Sequence, residues 1–287
     1  MLEAKVVADI GLALSICSEP IENENGAYDK QDCELKAFHR LAKKLKKHFS
    51  HTRICLLLDG LYACQEVFNI CWRNGWNFIM VFKEGSLPSL YEEAVRKMNL
   101  HTENALTVNG DDPNFQKLSW VNNLEYRGNR LYVIFCEDHS FTTKGVETIR
   151  RWSWLTNIRP DRENINELVN KGGRQRWKIE NQGFNEQKRH DFELEHLYGE
   201  APNAWKNYYQ LLQIAHIITQ LMVYGDLCQK LQAADSGKDM RSTLPFIEYY
   251  RSIRNFVRRL TESFRNCPFS QLAYSLIGKI QIRFSSA

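Results

Sequence analysis

The run Ile54–Leu61, ICLLLDGL, constrains this chain most. An unbroken apolar run closed by Asp-Gly reads as a buried strand with a carboxylate at its C-terminal end. In open α/β sheets, ligand-binding groups gather at the C-terminal ends of strands. Asp59 is therefore a candidate site residue. The plainer alternative is a strand-end Asp that caps the next turn.

A second stretch, Gly172–Arg189, reads GGRQRWKIENQGFNEQKR. We read it as a helix. Residues three and four apart share a helix face, so Arg176, Glu180 and Phe184 form one edge. Lys171, Arg174, Arg176, Lys178, Lys188 and Arg189 stand there against Glu180 and Glu186. The plainer alternative is a solvated amphipathic helix in which Arg176 pairs with Glu180. A strand-end Asp and a helix-borne Glu together suit a divalent cation. Mg²⁺ takes oxygen ligands from one or two carboxylates and completes its shell with water and phosphate.

With 287 residues the chain can bury a sizeable core, in one large domain or two. Charged residues at 25% and hydrophobic ones at 43% are a globular balance. The net charge of +4 permits nucleic-acid binding without arguing for it. Eight cysteines stand without CxxC pairs, which favours reduced thiols in a cytoplasm over a zinc site or a disulfide framework. The start, MLEAKVVADIG, has no signal architecture. Tyr208–Tyr224 is broken by Gln210, Gln213, His216 and Gln220 and is shorter than the roughly 20 apolar residues of a membrane span. It reads as a buried helix, with no membrane partner.

In chain order, Glu3–Ala8 and Leu12–Cys17 are β-rich and joined at a hairpin turn. Glu19–Asp29 is a loop. Lys30–Phe49 is helical, with Lys43, Lys44, Lys46 and Lys47 on its outer face, a solvated face or a DNA-backbone contact. Arg53–Asp59 is a buried strand, Tyr62–Arg73 a helix, Asn77–Phe82 a strand and Ser89–Met98 a helix. Leu118–Tyr126, Arg130–Cys136 and Thr148–Leu155 are strands, with a turn at Arg127–Asn129. Asn157–Pro160 is a turn, and Arg162–Asn170 leads into the Glu180 helix. Trp205–Tyr224 and Phe246–Arg265 are helices, Gln229–Arg241 a loop, and the last residues a tail.

RWKIENQGFNEQK resembles the catalytic helix of insertion-sequence DDE transposases of the Tyr-Arg-Glu-Lys signature group. KQDCELKAFHRLAKKLKKHF, LLLDGLYACQEVF and KNYYQLLQIAHIITQL look like the same family, so the resemblance runs from about Leu2 to about Leu221. Arg176 and Glu180 fit the signature spacing. The Tyr position falls on Gly173 and the Lys position on Gln187, with Lys188 one residue later. On a regular helix Lys188 lies roughly 80° around from that place, within reach of a phosphate for a long side chain.

The resemblance implies an α/β fold with a ribonuclease-H-like mixed sheet. It implies residues 1–98 as the first part of the catalytic core and 99–157 as a β-rich insertion. Residues 158–225 then carry the catalytic helix and remaining core helices, and 226–287 a C-terminal helical tail. It implies Asp59 and Glu180 as catalytic metal ligands for Mg²⁺ (or Mn²⁺). DNA, at element ends and target, is the implied partner. Arg176 and Lys188 would hold its phosphates, with Arg174 and Lys178 beside them. The intact enzyme would act as a homodimer in a bacterial cytoplasm. Transposases of this type use two Asp and one Glu, the first Asp on the first, central strand. Here the opening hairpin looks like the second and third strands, and Asp9 lies at the wrong end to serve as the first ligand. The expectation is a truncated copy, inactive alone.

The alternatives are a non-catalytic DNA-binding fragment that regulates intact transposase, and a general ribonuclease-H-like nuclease. Trp177 is expected in the core rather than as a base-stacking residue. His196 and His216 are expected as buried structural histidines, and Cys64 and Cys71 as core residues. Gly183 allows close approach of backbone or DNA.

Overall fold

A computed structural model describes residues 1–8, 10–21, 30–109, 114–142, 145–189, 192–196, 199, 201, 203–226, 230, 233 and 246–266. Asp9, most of the loops expected over Glu19–Asp29 and Gln229–Arg241, and the terminal tail lie outside the described residues. The architecture is mixed α/β. The chain forms two compact units, Met1–Leu2 with Cys17–Trp177, and Glu3–Ile16 with Lys178–Ala287. Among the described residues no helix is long and apolar enough to cross a membrane.

β1 (Leu2–Val7) and β2 (Ala13–Glu19) form a two-stranded sheet. The first unit is built on a six-stranded sheet in the order β3-β4-β8-β7-β6-β5. Its strands are β3 (Cys55–Leu58), β4 (Asn77–Val81), β5 (Ala105–Val108), β6 (Phe115–Tyr126), β7 (Asn129–Phe141) and β8 (Glu147–Thr156). β3 and β4 are parallel, and the other neighbours are antiparallel. Residues 99–157 thus make no sheet of their own, because β8 pairs directly with β4. The β6–β7 turn is the two-residue loop Arg127-Gly128, with φ of 48° and 80°. Positive φ at both central residues matches the twist of the flanking strands.

The apolar alternation of the strands fills both faces. On one face α2 (Gln65–Asn74) stacks Phe68 on Phe78, and α3 (Pro88–Leu100) sets Tyr91 against Phe82. On the other, Ile165 and Val169 pack with Ile79, Ile134, Cys136 and Trp154. Each fully buried side chain of this size contributes about 1.5–3 kcal/mol. β3 departs from its sequence reading. It is the edge strand, and Leu56, Leu57 and Leu58 are only partly buried, because no strand pairs with its outer side among the described residues. α1 (Lys30–His48) buries Phe38, Leu41 and Leu45. Its basic face is partly engaged: Lys44 pairs with Glu19 at 2.6 Å, and Lys46 donates to the Asn74 carbonyl at 3.3 Å.

Residues 165–189 are helical but not one regular α-helix. A turn of α-helix, Ile165–Glu167, passes into a π-helical segment, Leu168–Gly172, and a 3₁₀ segment, Gly173–Trp177. The second unit then opens with a π-helical segment, Ile179–Asn185, and an α-turn, Glu186–Arg189. Such departures are common at functional sites. In the first unit their cause is steric. A Cβ on Gly172 would lie 2.5 Å from Ile79 Cδ1, and one on Gly173 2.5 Å from Trp154 Cε2. The backbone lies directly on the sheet.

The second unit holds α6 (Ala204–Tyr224), read from the sequence as a buried helix and here buried on one side only. Gln213, His216 and Gln220 are buried, while Leu211, Ile214 and Ile218 are 66%, 54% and 49% exposed. The buried side is a hydrogen-bond ladder. Gln213 accepts from Lys5 Nζ at 2.8 Å and exchanges bonds with Gln187. Gln220 accepts from Ala13 N at 2.8 Å and donates to the Gln182 carbonyl at 2.7 Å. His216 meets Glu186 at 3.1 Å. Buried polar groups are tolerated when paired in this way. Short helices Phe246–Tyr250 and Ile253–Asn266 follow, with Phe256 buried.

Two substitution pairs check these packings. Gly173→Ala should lower stability by about 1–3 kcal/mol through overpacking on Trp154. Gly85→Ala, whose Cβ meets nothing within 4 Å, should stay within about 0.5 kcal/mol. Equal midpoints for the two in urea denaturation would refute the close contact. Gln220→Leu should cost about 1–3 kcal/mol by stranding the Ala13 N–H and the Gln182 carbonyl. Ile218→Gln should be near neutral, and thermal melts in the opposite order would mean that α6 faces the other way.

Candidate functional site

Asp59 ends β3 and caps the 3₁₀ turn Gly60–Tyr62, its Oδ1 accepting from Gly60 N at 2.6 Å. The cap and the site are compatible, since the side chain remains 53% exposed. Arg176 Nη1 lies 3.6 Å from Asp59 Oδ2. The 3₁₀ segment that follows the two packed glycines carries this guanidinium to the strand end. Tyr62, buried below the turn, has its phenol pushed up to about 12 by burial and by the charges of Glu34 and Asp59. It stays protonated near neutrality. Burial also raises the Cys64 thiol, which keeps it from acting as a ready nucleophile.

Asp59 lines a cavity of ≈ 540 Å³ with Gly60, Cys64, Lys83, Ser86 and Arg127, all of the first unit. The cavity lies at the C-terminal ends of the parallel pair β3–β4. Sequence reasoning passed over Lys83 and Arg127. The signal for Lys83 was present, since it directly follows the apolar run Asn77–Phe82, as Asp59 follows its own. Asp59 offers one hard oxygen donor group. Among the described residues there is no group of three His, Cys, Asp or Glu that could hold a metal ion. A single exposed carboxylate fits Mg²⁺ completed by water and phosphate oxygens, and it does not fit a closed zinc cage.

The other site candidates are distributed as follows. Arg174, in the first unit, is engaged on the sheet. Its Nη1 is 2.9 Å from Asp138 Oδ2, and its guanidinium lies 4.8 Å over the Trp152 ring. Lys178, Glu180 and Lys188 belong to the second unit. Glu180 is exposed in the π-helical segment. Arg176 and Glu180 therefore do not share a regular α-helical edge, because the winding changes between them. The same change removes the basis for the roughly 80° offset of Lys188, which assumed 100° per residue. Lys178 is 7% exposed and donates to the Ala8 carbonyl at 2.8 Å. Lys188 pairs with Glu195 at 2.8 Å at the surface.

Gly173 occupies the signature's Tyr position, where the Trp154 indole fills the space a side chain would take. Gln187, at the Lys position, is fully buried and bonded to Gln213. Gly183 is buried, and a Cβ there would meet the Lys5 stem at 3.2 Å, so the close approach it permits is to a side chain. Trp177 is 46% exposed, against the expectation of a core residue, because Gly172 and Gly173 take the inward positions of its segment. His196 is also exposed, paired with Glu193 at 2.8 Å in a surface turn, whereas His216 is buried as expected. Cys71 is buried in α2, and Cys64 is partly buried at its N-cap.

No protein-family model matches the chain, and no curated protein matches it.

Lys178 and Lys188, read alike from the sequence, should respond differently to removal. Lys178→Ala should cost about 1–3 kcal/mol by removing a buried, packed side chain and its charge-assisted hydrogen bond to the Ala8 carbonyl. Lys188→Ala breaks an exposed ion pair and should change stability by less than about 1 kcal/mol. Urea denaturation of the two variants reads the difference, and equal losses would contradict the burial of Lys178.

Proposed function

We propose that this chain derives from metal-dependent DNA strand cleavage and strand transfer of the DDE transposase type. In this reading Asp59 is a metal-binding carboxylate, Glu180 is the carboxylate of the Arg-x₃-Glu signature, and the sheet is ribonuclease-H-like. The observation that carries this reading is the pairing of Arg176 with Asp59 at 3.6 Å. The two residues were selected separately, one as a strand-end acid and the other as part of an Arg-x₃-Glu signature.

Asp59 would hold Mg²⁺ or Mn²⁺, which would supply charge neutralisation at a phosphodiester and an activated attacking oxygen. The chain's own residues orient the acid. The Gly60 N–H fixes one Asp59 oxygen, and the Arg176 guanidinium sits beside the other, where it can also meet a phosphate. Trp177, half exposed next to Arg176, offers a face on which a base can stack.

A second reading is favoured by the carboxylate count. Asp59 is paired with a cation, and no three-ligand group occurs among the described residues. This suits a non-catalytic DNA-binding fragment that regulates an intact transposase. A DNA-nicking assay in Mg²⁺ or Mn²⁺ separates the two. Under the catalytic reading the purified chain nicks duplex and Asp59→Ala abolishes the activity. Under the regulatory reading neither protein nicks, and both bind duplex with affinity that falls between about 50 and 200 mM salt. Duplex binding indifferent to salt, or nicking that survives Asp59→Ala, would sink both.

A further inference from the structure

We propose that Lys83 is a phosphate-holding residue of the Asp59 cavity. The inference rests on the DNA reading above for its ligand, a backbone phosphodiester, and on the cavity alone for its chemistry. Lys83 follows β4 as Asp59 follows β3, so the two stand at equivalent ends of a parallel pair and line one cavity of ≈ 540 Å³. Their loops are held tightly together. A Cβ on Gly60 would lie 3.1 Å from both Ser86 Oγ and the Val81 carbonyl oxygen. The loop of Lys83 is itself closed by a hydrogen bond from Ser86 N to the Lys83 carbonyl at 3.0 Å. The acid and the ammonium are thus carried on two connected, short-tethered turns.

The charges of the cavity are unevenly matched. Asp59 has Arg176 at 3.6 Å. Arg127 sits over the Tyr126 ring and helps hold the Glu66 carboxyl below its usual range, behind the hydrogen bonds from the Glu66 backbone and Cys64. Lys83 is exposed and forms no ion pair among the described residues. A lysine ammonium is a compact charge with three donors and no intrinsic geometry, suited to a phosphate oxygen as a point contact. Ser86 supplies a hydroxyl donor in the same cavity. A phosphate bound here would lie beside Asp59, the carboxylate that would hold a metal ion.

The test is binding of a duplex oligonucleotide to the full chain by fluorescence anisotropy, from about 50 to 200 mM NaCl. Wild type is compared with Lys83→Gln and with Lys97→Gln, which removes the same charge from an ion pair with Glu93. Lys83→Gln should weaken binding about tenfold at the lowest salt and flatten the log–log salt slope by about one, whereas Lys97→Gln should leave the slope unchanged. An unchanged slope and affinity for Lys83→Gln would overturn the inference and leave the DNA reading standing. Titration of inorganic pyrophosphate by calorimetry covers the other source of phosphate. If wild type binds no duplex but binds pyrophosphate in a Lys83-dependent way, the phosphate role holds and the DNA reading fails. Binding of neither ligand overturns both.

Discussion

The contact between two glycines and two sheet side chains determines the geometry of the candidate site. Gly172 and Gly173 set the backbone of residues 168–177 directly on Ile79 and Trp154. Interiors are packed as densely as organic crystals, so no side chain can be added at that point without moving one of the partners. The segment answers by abandoning regular α-helical winding, loose before the glycines and tight after them. The tightened turn delivers Arg176 to the end of β3. The acid–guanidinium pair therefore follows from packing on the opposite side of the backbone, and its position is not set by the charges themselves.

The second unit rests on a different principle. Its long helix turns Gln213, His216 and Gln220 inward beside Tyr209 and Leu212, and leaves Leu211, Ile214 and Ile218 outside. The inward polar groups are specific. Each finds a backbone group or a side chain of complementary sense, from Ala13, Gln182, Glu186, Gln187 or Lys5. Burial depresses the Lys5 ammonium against the opposing pull of Glu3 and Glu186. Such a network fixes register, because a helix shifted by one residue would bury unpaired amides.

The element order was largely legible in the sequence, because strands and helices with clear periodicity announce themselves. The hairpin, α1, β4, α3, the β6–β7 turn at Arg127-Gly128 and the extent of α6 all follow from local pattern. Three things did not. The apolar run before Asp59 gave no sign that it would lie at an edge, since strand order is a property of pairing partners distant in sequence. The orientation of α6 was hidden because apolar and polar residues alternate there at spacings that satisfy either face, and the inward choice depends on partners such as Ala13 and Gln182. The winding of residues 165–189 was hidden because helix type depends on what the glycines touch. At the candidate site, Asp59 was readable as the acid that closes an apolar run, whereas its proximity to Arg176 depends on the winding of the intervening segment. Lys83 was readable only by applying to β4 the argument already applied to β3.

Asp59 is mounted at the end of β3, which is four residues long and, among the described residues, hydrogen-bonded on one side only. The amides on its outer side have no ladder partner among the described residues, while β4 lies between two strands. Fewer ladder hydrogen bonds therefore hold β3 than β4. Local opening of a structure begins where few bonds must break. The acid thus rides on one of the two edge strands of the sheet, where fewer bonds must break than at β4. Its cap on Gly60 and its distance from Arg176 are both coupled to the fraying of one short strand.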